Sequence, residues 1–201
     1  MRNTVLYIHG KGGSADEAAH YRPLFPDCAV VGLDYKADTP WEAGAEIRAA
    51  AGRIAAQSGR LLLIANSIGA FFSMHAGIGE LVRTAFFISP VVDMEQLIAG
   101  MMAAAHVTEA QLEREGTTPT GTGETLSWEY LRYVREHPVD WRAPTHILYG
   151  GKDVLTPRET IRAFANAHGA SLTVMENGEH WFHTPQQMRF LDNWLRTHYT
   201  V

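Results

Sequence analysis

Apolar positions along the chain fall into two kinds of run that alternate. Short blocks without a polar face, at residues 4–8 (TVLYI), 29–33 (AVVGL), 61–64 (LLLI), 82–89 (VRTAFFIS), 145–149 and 171–175, predict strands covered on both sides. Between them apolar residues recur at helical spacing, over 15–20, 40 to about 57, 70 to about 77–79, 157–168 and 185–195. Several of these helices carry start signals. Thr39-Pro40-Trp41-Glu42, Thr156-Pro157-Arg158-Glu159 and Thr184-Pro185-Gln186-Gln187 each read as a capping box with proline at the first helical position. In the last helix Met188, Leu191 and Leu195, with Phe190 and Trp194, form an apolar face. Strand and helix in strict alternation call for right-handed crossovers. The expected fold is therefore α/β, a three-layer α/β/α sandwich around a parallel six-stranded sheet.

Residues 91–143 break the rhythm. A helix is predicted over 93–105, a capping box at Thr108 to Gln111, a Gly/Thr/Pro loop over 116–123 and a helix over 127–136. The stretch reads as a helical cap insertion within a single domain spanning 1–201. Following the fourth strand, it is expected at the carboxyl ends of the sheet as a lid, or else as a plain longer connection.

Composition narrows the function. The 201 residues, 46% of them hydrophobic, suit one domain with a sizeable core, and a formal charge of −5 without a basic run argues against nucleic acid as a partner. A single cysteine, Cys28, leaves no intrachain disulfide framework and favours a reducing compartment. The apolar run at residues 5–8 is cut off by His9 and Gly10, too short for a signal-peptide core, and no run is long enough to span a membrane. A cytoplasmic protein without a membrane partner is expected.

The candidate chemistry centres on residues 60–70, RLLLIANSIGA. This stretch predicts a buried strand, a sharp turn and a helix, with Ser67 on the turn and the small residues Ala65 and Gly69 two positions to either side. Such a serine is either a helix N-cap or a nucleophile above the end of the strand. As a nucleophile it needs a base, and the base needs a third group to hold its tautomer. His180, in NGEH after the last strand, and Asp153, in GGKD after the preceding one, are placed for these tasks. The first strand runs into HGKGGS at residues 9–14, a glycine loop whose backbone N–H groups can face an anion but which lacks P-loop spacing.

Taken together, these segments resemble an α/β-hydrolase over nearly the whole chain. ANSIG is similar to the nucleophile elbow G-x-S-x-G with Ala65 for the first glycine, and HGKG is similar to the oxyanion loop. The order Ser67, Asp153, His180 matches the Ser, acid, His order of that family. The oxyanion-loop strand comes first here, which resembles the small six-stranded members. The resemblance implies Ser67 as nucleophile, His180 as general base and then acid, Asp153 as its orienting carboxylate, and the backbone N–H groups of Lys11 and Ile68 as oxyanion hole. It implies no metal and no organic cofactor, and a small-molecule acyl substrate, a carboxylic ester or related compound, hydrolysed through an acyl-serine.

Alternatives stay open at each position. Asp93, after the fourth strand, is the rival acid, and His183 and His168 are the substitute histidines. His180 and His183 have H-x-x-H spacing without an obvious third metal ligand. His9 is expected to shape the oxyanion loop, and Lys11 either draws an anionic substrate or is simply solvated. Trp128, Tyr130, Trp141, Trp181 and Phe182 are candidates for a pocket lining or for core. The same residues also suit acyl transfer or a noncatalytic ligand-binding protein on a hydrolase scaffold. A lyase or cofactor-free oxygen chemistry is a further option, and the expected assembly is a monomer or homodimer.

Overall fold

The computed structural model describes residues 2–57, 59–121 and 123–199. The ends of the 1–201 span and Thr122, inside the expected 116–123 loop, lie outside the described residues. The chain forms two compact units, one of Met1–Val92 with Asp140–Val201 and the other of Asp93–Val139.

The first unit opens with β1 (Asn3–Ile8), α1 (Ala18–Tyr21), β2 (Cys28–Gly32), α2 (Pro40–Gln57), β3 (Leu61–Asn66), α3 (Ile68–His75) and β4 (Val82–Ile88). The second holds α4 (Met94–Ala104), α5 (Glu109–Glu115), β5 (Thr117–Pro119), β6 (Thr125–Ser127) and α6 (Trp128–Glu136). The first then resumes with β7 (Thr145–Gly150), α7 (Arg158–His168), β8 (Ser171–Met175) and α8 (Pro185–His198).

The strands of the first unit form a six-stranded sheet in the order β2-β1-β3-β4-β7-β8. Every neighbouring pair is parallel. This order sets β1 beside β3, with Ile8 opposite Ala65, so the loops leaving both strands emerge side by side. Val5 to Ile8 and Leu61 to Ala65 are all buried. A strand covered on both faces has no polar alternation to show, which is why these runs look uniformly apolar. On one face Val5, Tyr7, Ile64, Phe86 and Leu148 join Leu191, Trp194 and Leu195 of α8 in a continuous core. Each such side chain contributes about 1.5–3 kcal/mol on burial.

Three local expectations change. The segment after the glycine loop begins as a 3-10 turn at Ala15–Glu17 before becoming α1. α3 ends at His75, because Gly77 turns the chain away at φ 63°. Thr156 does not cap α7, which starts after Pro157 with no side-chain cap. Thr156 is instead buried, its carbonyl accepting the Tyr149 hydroxyl at 2.8 Å.

The second unit is not all helical. Where a loop is expected over 116–123, β5 and β6 form an antiparallel hairpin with Thr118 opposite Leu126. Threonines and Leu126 flank glycines 121 and 123 there, a combination that favours paired strands over an open loop. Asp93, Thr108 and Ser127 cap α4, α5 and α6 by accepting from Gln96, Gln111 and Tyr130 N–H. Arg135 of α6 donates to Glu95 of α4 and to Glu109 of α5, each at 2.7 Å. Among the described residues no helix is long and apolar enough to cross a membrane.

Candidate active site

β3 ends at Asn66 and α3 begins at Ile68, which leaves Ser67 alone to make the turn, at φ 51° and ψ −120°. A non-glycine residue at positive φ is strained by about 1–3 kcal/mol and persists only where its surroundings hold it. Here the Ser67 N–H donates to Ile88 O at 3.0 Å, and Ser67 O accepts from Val91 at 3.1 Å. Ser67 occupies the N-cap position of α3, yet its side chain makes no capping bond. Its hydroxyl lies instead 2.8 Å from His180 Nε2.

The histidine is held from behind. His180 Nδ1 sits 2.6 Å from Asp153 Oδ2, so Nδ1 carries the proton it donates to the carboxylate and Nε2 is left to accept from the serine. The Asp153 side chain is 0% exposed and that of His180 21%. The other carboxylate oxygen, Oδ1, accepts from Leu155 N at 2.8 Å and more weakly from Thr156 N at 3.4 Å. The loops carrying Asp153 and His180 are themselves joined, Lys152 N–H donating to Gly178 O at 2.8 Å. Gly150 permits this: a Cβ there would lie 2.3 Å from Glu179 O.

The glycine loop after β1 closes the site from another side. A Cβ on Gly10 would come within 3.2 Å of Ser67 Cβ, so this loop rests against the serine turn. His9 shapes it: Nδ1 donates to Gly10 O at 2.8 Å, the ring stacks on Tyr35 at 4.3 Å, and the Tyr35 hydroxyl donates to His9 O at 2.8 Å. The peptide of Lys11 follows directly. Ile68 is the first residue of α3, whose opening N–H groups have no acceptor within the helix.

A cavity of about 570 Å³ opens beside Ser67 and His180. Its lining combines the apolar Ile88, Leu155, Phe182, Met188 and Leu191 with the polar Glu17, His20, Tyr21 and Asn66. The Tyr7 hydroxyl connects two of the polar lining residues, donating to Glu17 and accepting from Asn66 Nδ2 at 2.9 Å. Burial, reinforced by Tyr21 and by Glu17, raises the Tyr7 hydroxyl far above the ordinary tyrosine range, so it stays a donor. Burial raises Tyr21 as well, with the Asn66 amide pulling the other way.

The remaining candidates find other places. Asp93 caps α4 in the second unit. His183 Nδ1 lies 3.7 Å from Glu179 while its ring stacks on Trp181, and His168 Nδ1 donates to Trp141 O. Trp141 is core, packed on Phe87 with Nε1 donating to Thr145. Trp181, 72% exposed, and the buried Phe182 do line the cavity, whereas Trp128 and Tyr130 belong to the second unit. Lys11 is exposed on the cavity rim. Among the described residues no group of three or more His, Cys, Asp or Glu is arranged to hold a metal ion. Sequence reasoning passes over Tyr7, Glu17 and Asn66. Only Ser14-x-x-Glu17, a capping-box spacing, draws the eye to Glu17, and Ser14 N–H does donate to its Oε1 at 3.2 Å.

No family model matches the chain, and no curated protein does. Solved structures do. Est1E from Butyrivibrio proteoclasticus superposes with a TM-score of 0.78 at 16% identity, covering 98% of this chain and 86% of that one. The mouse alpha/beta hydrolase domain-containing protein 10 gives 0.71 at 17% identity over 96% and 88%. XC6422 from Xanthomonas campestris, described as an α/β serine hydrolase without lid, gives 0.65 at 16% identity over 97% and 79%. The fold is that of the α/β-hydrolases. Within this α/β-hydrolase fold β1 carries the glycine loop, β3 the serine turn, β7 the acid and β8 the histidine. Four chemical groups from four parallel strands thus meet at the carboxyl edge of the sheet, where open α/β sheets form their sites.

Proposed function

We propose that the protein is a serine hydrolase of carboxylesterase type, cleaving a carboxylic ester or related acyl compound through an acyl-serine. The observation that carries this reading is the continuous relay from Ser67 through His180 to the shielded carboxylate of Asp153, at the wall of a cavity large enough for a small ligand. A hydroxyl is a weak nucleophile, and this relay supplies the base it lacks.

As Ser67 Oγ bonds to the substrate carbonyl carbon, its proton passes to His180 Nε2 and the carbonyl π pair moves onto oxygen. The resulting oxyanion is stabilised by the Lys11 and Ile68 N–H groups, each such donor being worth about 3–4 kcal/mol in the transition state. Asp153 stabilises the imidazolium without taking its proton. Collapse re-forms the carbonyl, breaks the bond to the leaving oxygen and hands that oxygen the proton from Nε2. Water then attacks the acyl-serine with His180 again as base, releasing acid and free Ser67.

Fluorophosphonate labelling followed by peptide mass spectrometry tests the reading. The expected result is covalent modification of Ser67 in the wild type and none in Ser67→Ala or His180→Ala. A folded wild-type protein that resists the reagent and turns over no short-chain ester, thioester or lactone overturns it in favour of ligand binding.

A further inference from the structure

Tyr7 sets the hydrogen-bond directions of two polar residues that line the cavity, Glu17 and Asn66. A carboxylate only accepts, so the Tyr7 hydroxyl spends its proton on Glu17 and receives the Asn66 Nδ2–H on its lone pair. That chain of donation uses up the Asn66 N–H facing Tyr7 and leaves Asn66 Oδ1 buried without a hydrogen-bond partner. Glu17, which is not buried, lines the cavity with acceptor positions beyond those taken by Tyr7 and Ser14. The rest of the lining includes the hydrocarbon and aromatic side chains of Ile88, Leu155, Phe182, Met188 and Leu191. Of the basic side chains at the cavity, His20 Nε2 lies 2.8 Å from Asp192 Oδ1, and Lys11 is exposed on the glycine loop.

We infer that the cavity selects substrates whose non-reacting part has an apolar body ending in a hydrogen-bond donor, a hydroxyl or an ammonium group, with Glu17 as the specificity-determining acceptor. The inference rests on the hydrolase reading in that it takes this cavity for the substrate pocket. An apolar body fills the space between Ile88 and Leu191, and the donor end meets Glu17. A carboxylate end meets a like charge there, which is repelled more strongly beside low-dielectric walls than in water.

The test measures binding, not turnover, so it stands apart from the labelling of Ser67. Hexylamine, hexan-1-ol and hexanoate share one body and differ at the end group. Saturation-transfer NMR titrations at pH 8 on the wild-type protein are expected to rank amine and alcohol above the acid, with the amine at least about tenfold tighter than hexanoate. Glu17→Gln removes the charge and keeps one acceptor oxygen, for the Tyr7 hydroxyl, while the position facing the Ser14 N–H becomes an amide NH2. In that variant the amine-to-acid preference is expected to shrink about tenfold. Hexanoate binding the wild type as tightly as hexylamine, or a ranking unmoved in folded Glu17→Gln, overturns the inference. If Ser67 fails to label while the ranking holds, the hydrolase reading falls and the donor-selective pocket stands.

Discussion

A Cβ on Gly69 would lie 2.4 Å from the carbonyl oxygen of His9, a separation that real Cβ atoms essentially never show. The first turn of α3 and the end of β1 are therefore in backbone contact, and this contact brings the glycine loop to the serine. Gly69→Ala is expected to push the two segments apart. Overpacking of this kind costs about 1–3 kcal/mol, or roughly 2–12 °C in melting temperature for a chain of this size. Ser67 labelling should fall with it. Ala65→Gly, at the other small position of the turn, removes only a buried methyl and should cost about 1 kcal/mol with labelling retained. Calorimetry and fluorophosphonate labelling of both variants check the contrast.

Asp153 and Asp93 both follow strands, and sequence position alone does not separate them. In the structure Asp153 bonds His180, whereas Asp93 accepts the N–H of Gln96 at 2.8 Å. Asp153→Asn should leave the fold intact but present His180 in the wrong tautomer, with a rate loss on the order of 10⁴. Asp93→Ala should leave the rate of a short-chain ester hydrolysis little changed and weaken the start of α4 by about 1 kcal/mol. Parallel kcat measurements on the two variants decide the assignment. A large loss for Asp93→Ala with a small one for Asp153→Asn would reverse it.

The parts of this arrangement that are legible in the sequence are those written in local chemistry. The β1 and β3 runs, the small residues around Ser67, and the glycines before Asp153 and His180 all report on backbone conformation within a few positions, and they locate the sheet and the relay. The cavity wall is different in kind. Tyr7 sits inside a strand where its apolar ring explains it fully, and Asn66 is merely the residue before Ser67. Only the parallel pairing of β1 with β3 places their side chains together, and only the turn at 15–17 brings Glu17 to them. The β5–β6 hairpin is missed for a related reason: three-residue strands carry too few positions for a period to register.

Gln187 is buried at 4% exposure and ties the histidine loop to α8. Its Oε1 accepts from the N–H groups of His183 and Thr184, at 3.1 and 3.4 Å, and its Nε2 donates to Glu179 Oε2 at 3.0 Å. The segment clamped this way contains His180. Gln187→Ala leaves those part-buried donors without their partner, at a cost of about 1 kcal/mol. As a positioning residue its loss should lower kcat more than it changes KM; Gln187→Glu keeps the acceptor but sets a buried carboxylate against Glu179, so it should recover kcat only when combined with Glu179→Gln, which restores a donor across that contact. An effect confined to melting temperature would reduce Gln187 to a structural role.

His146 gives stability a dependence on pH that is separate from the active site. Its Nδ1 lies 2.6 Å from Ser171 Oγ, its ring stacks on Phe86 at 5.6 Å, and the His198 ring stands 4.5 Å away. Burial, with the neighbouring His198, lowers its pKa below the ordinary 6.5. The unfolded chain then binds a proton that the folded chain resists. Stability rises with pH wherever the unfolded state holds more protons, so the contribution of this site is lost as pH falls below about 6.5. It levels off below the folded value. Urea midpoints measured between pH 5 and 8 should show this decline, and His146→Asn should flatten it, since asparagine has no charge to take up. A slope unchanged in the variant would assign the decline to other groups.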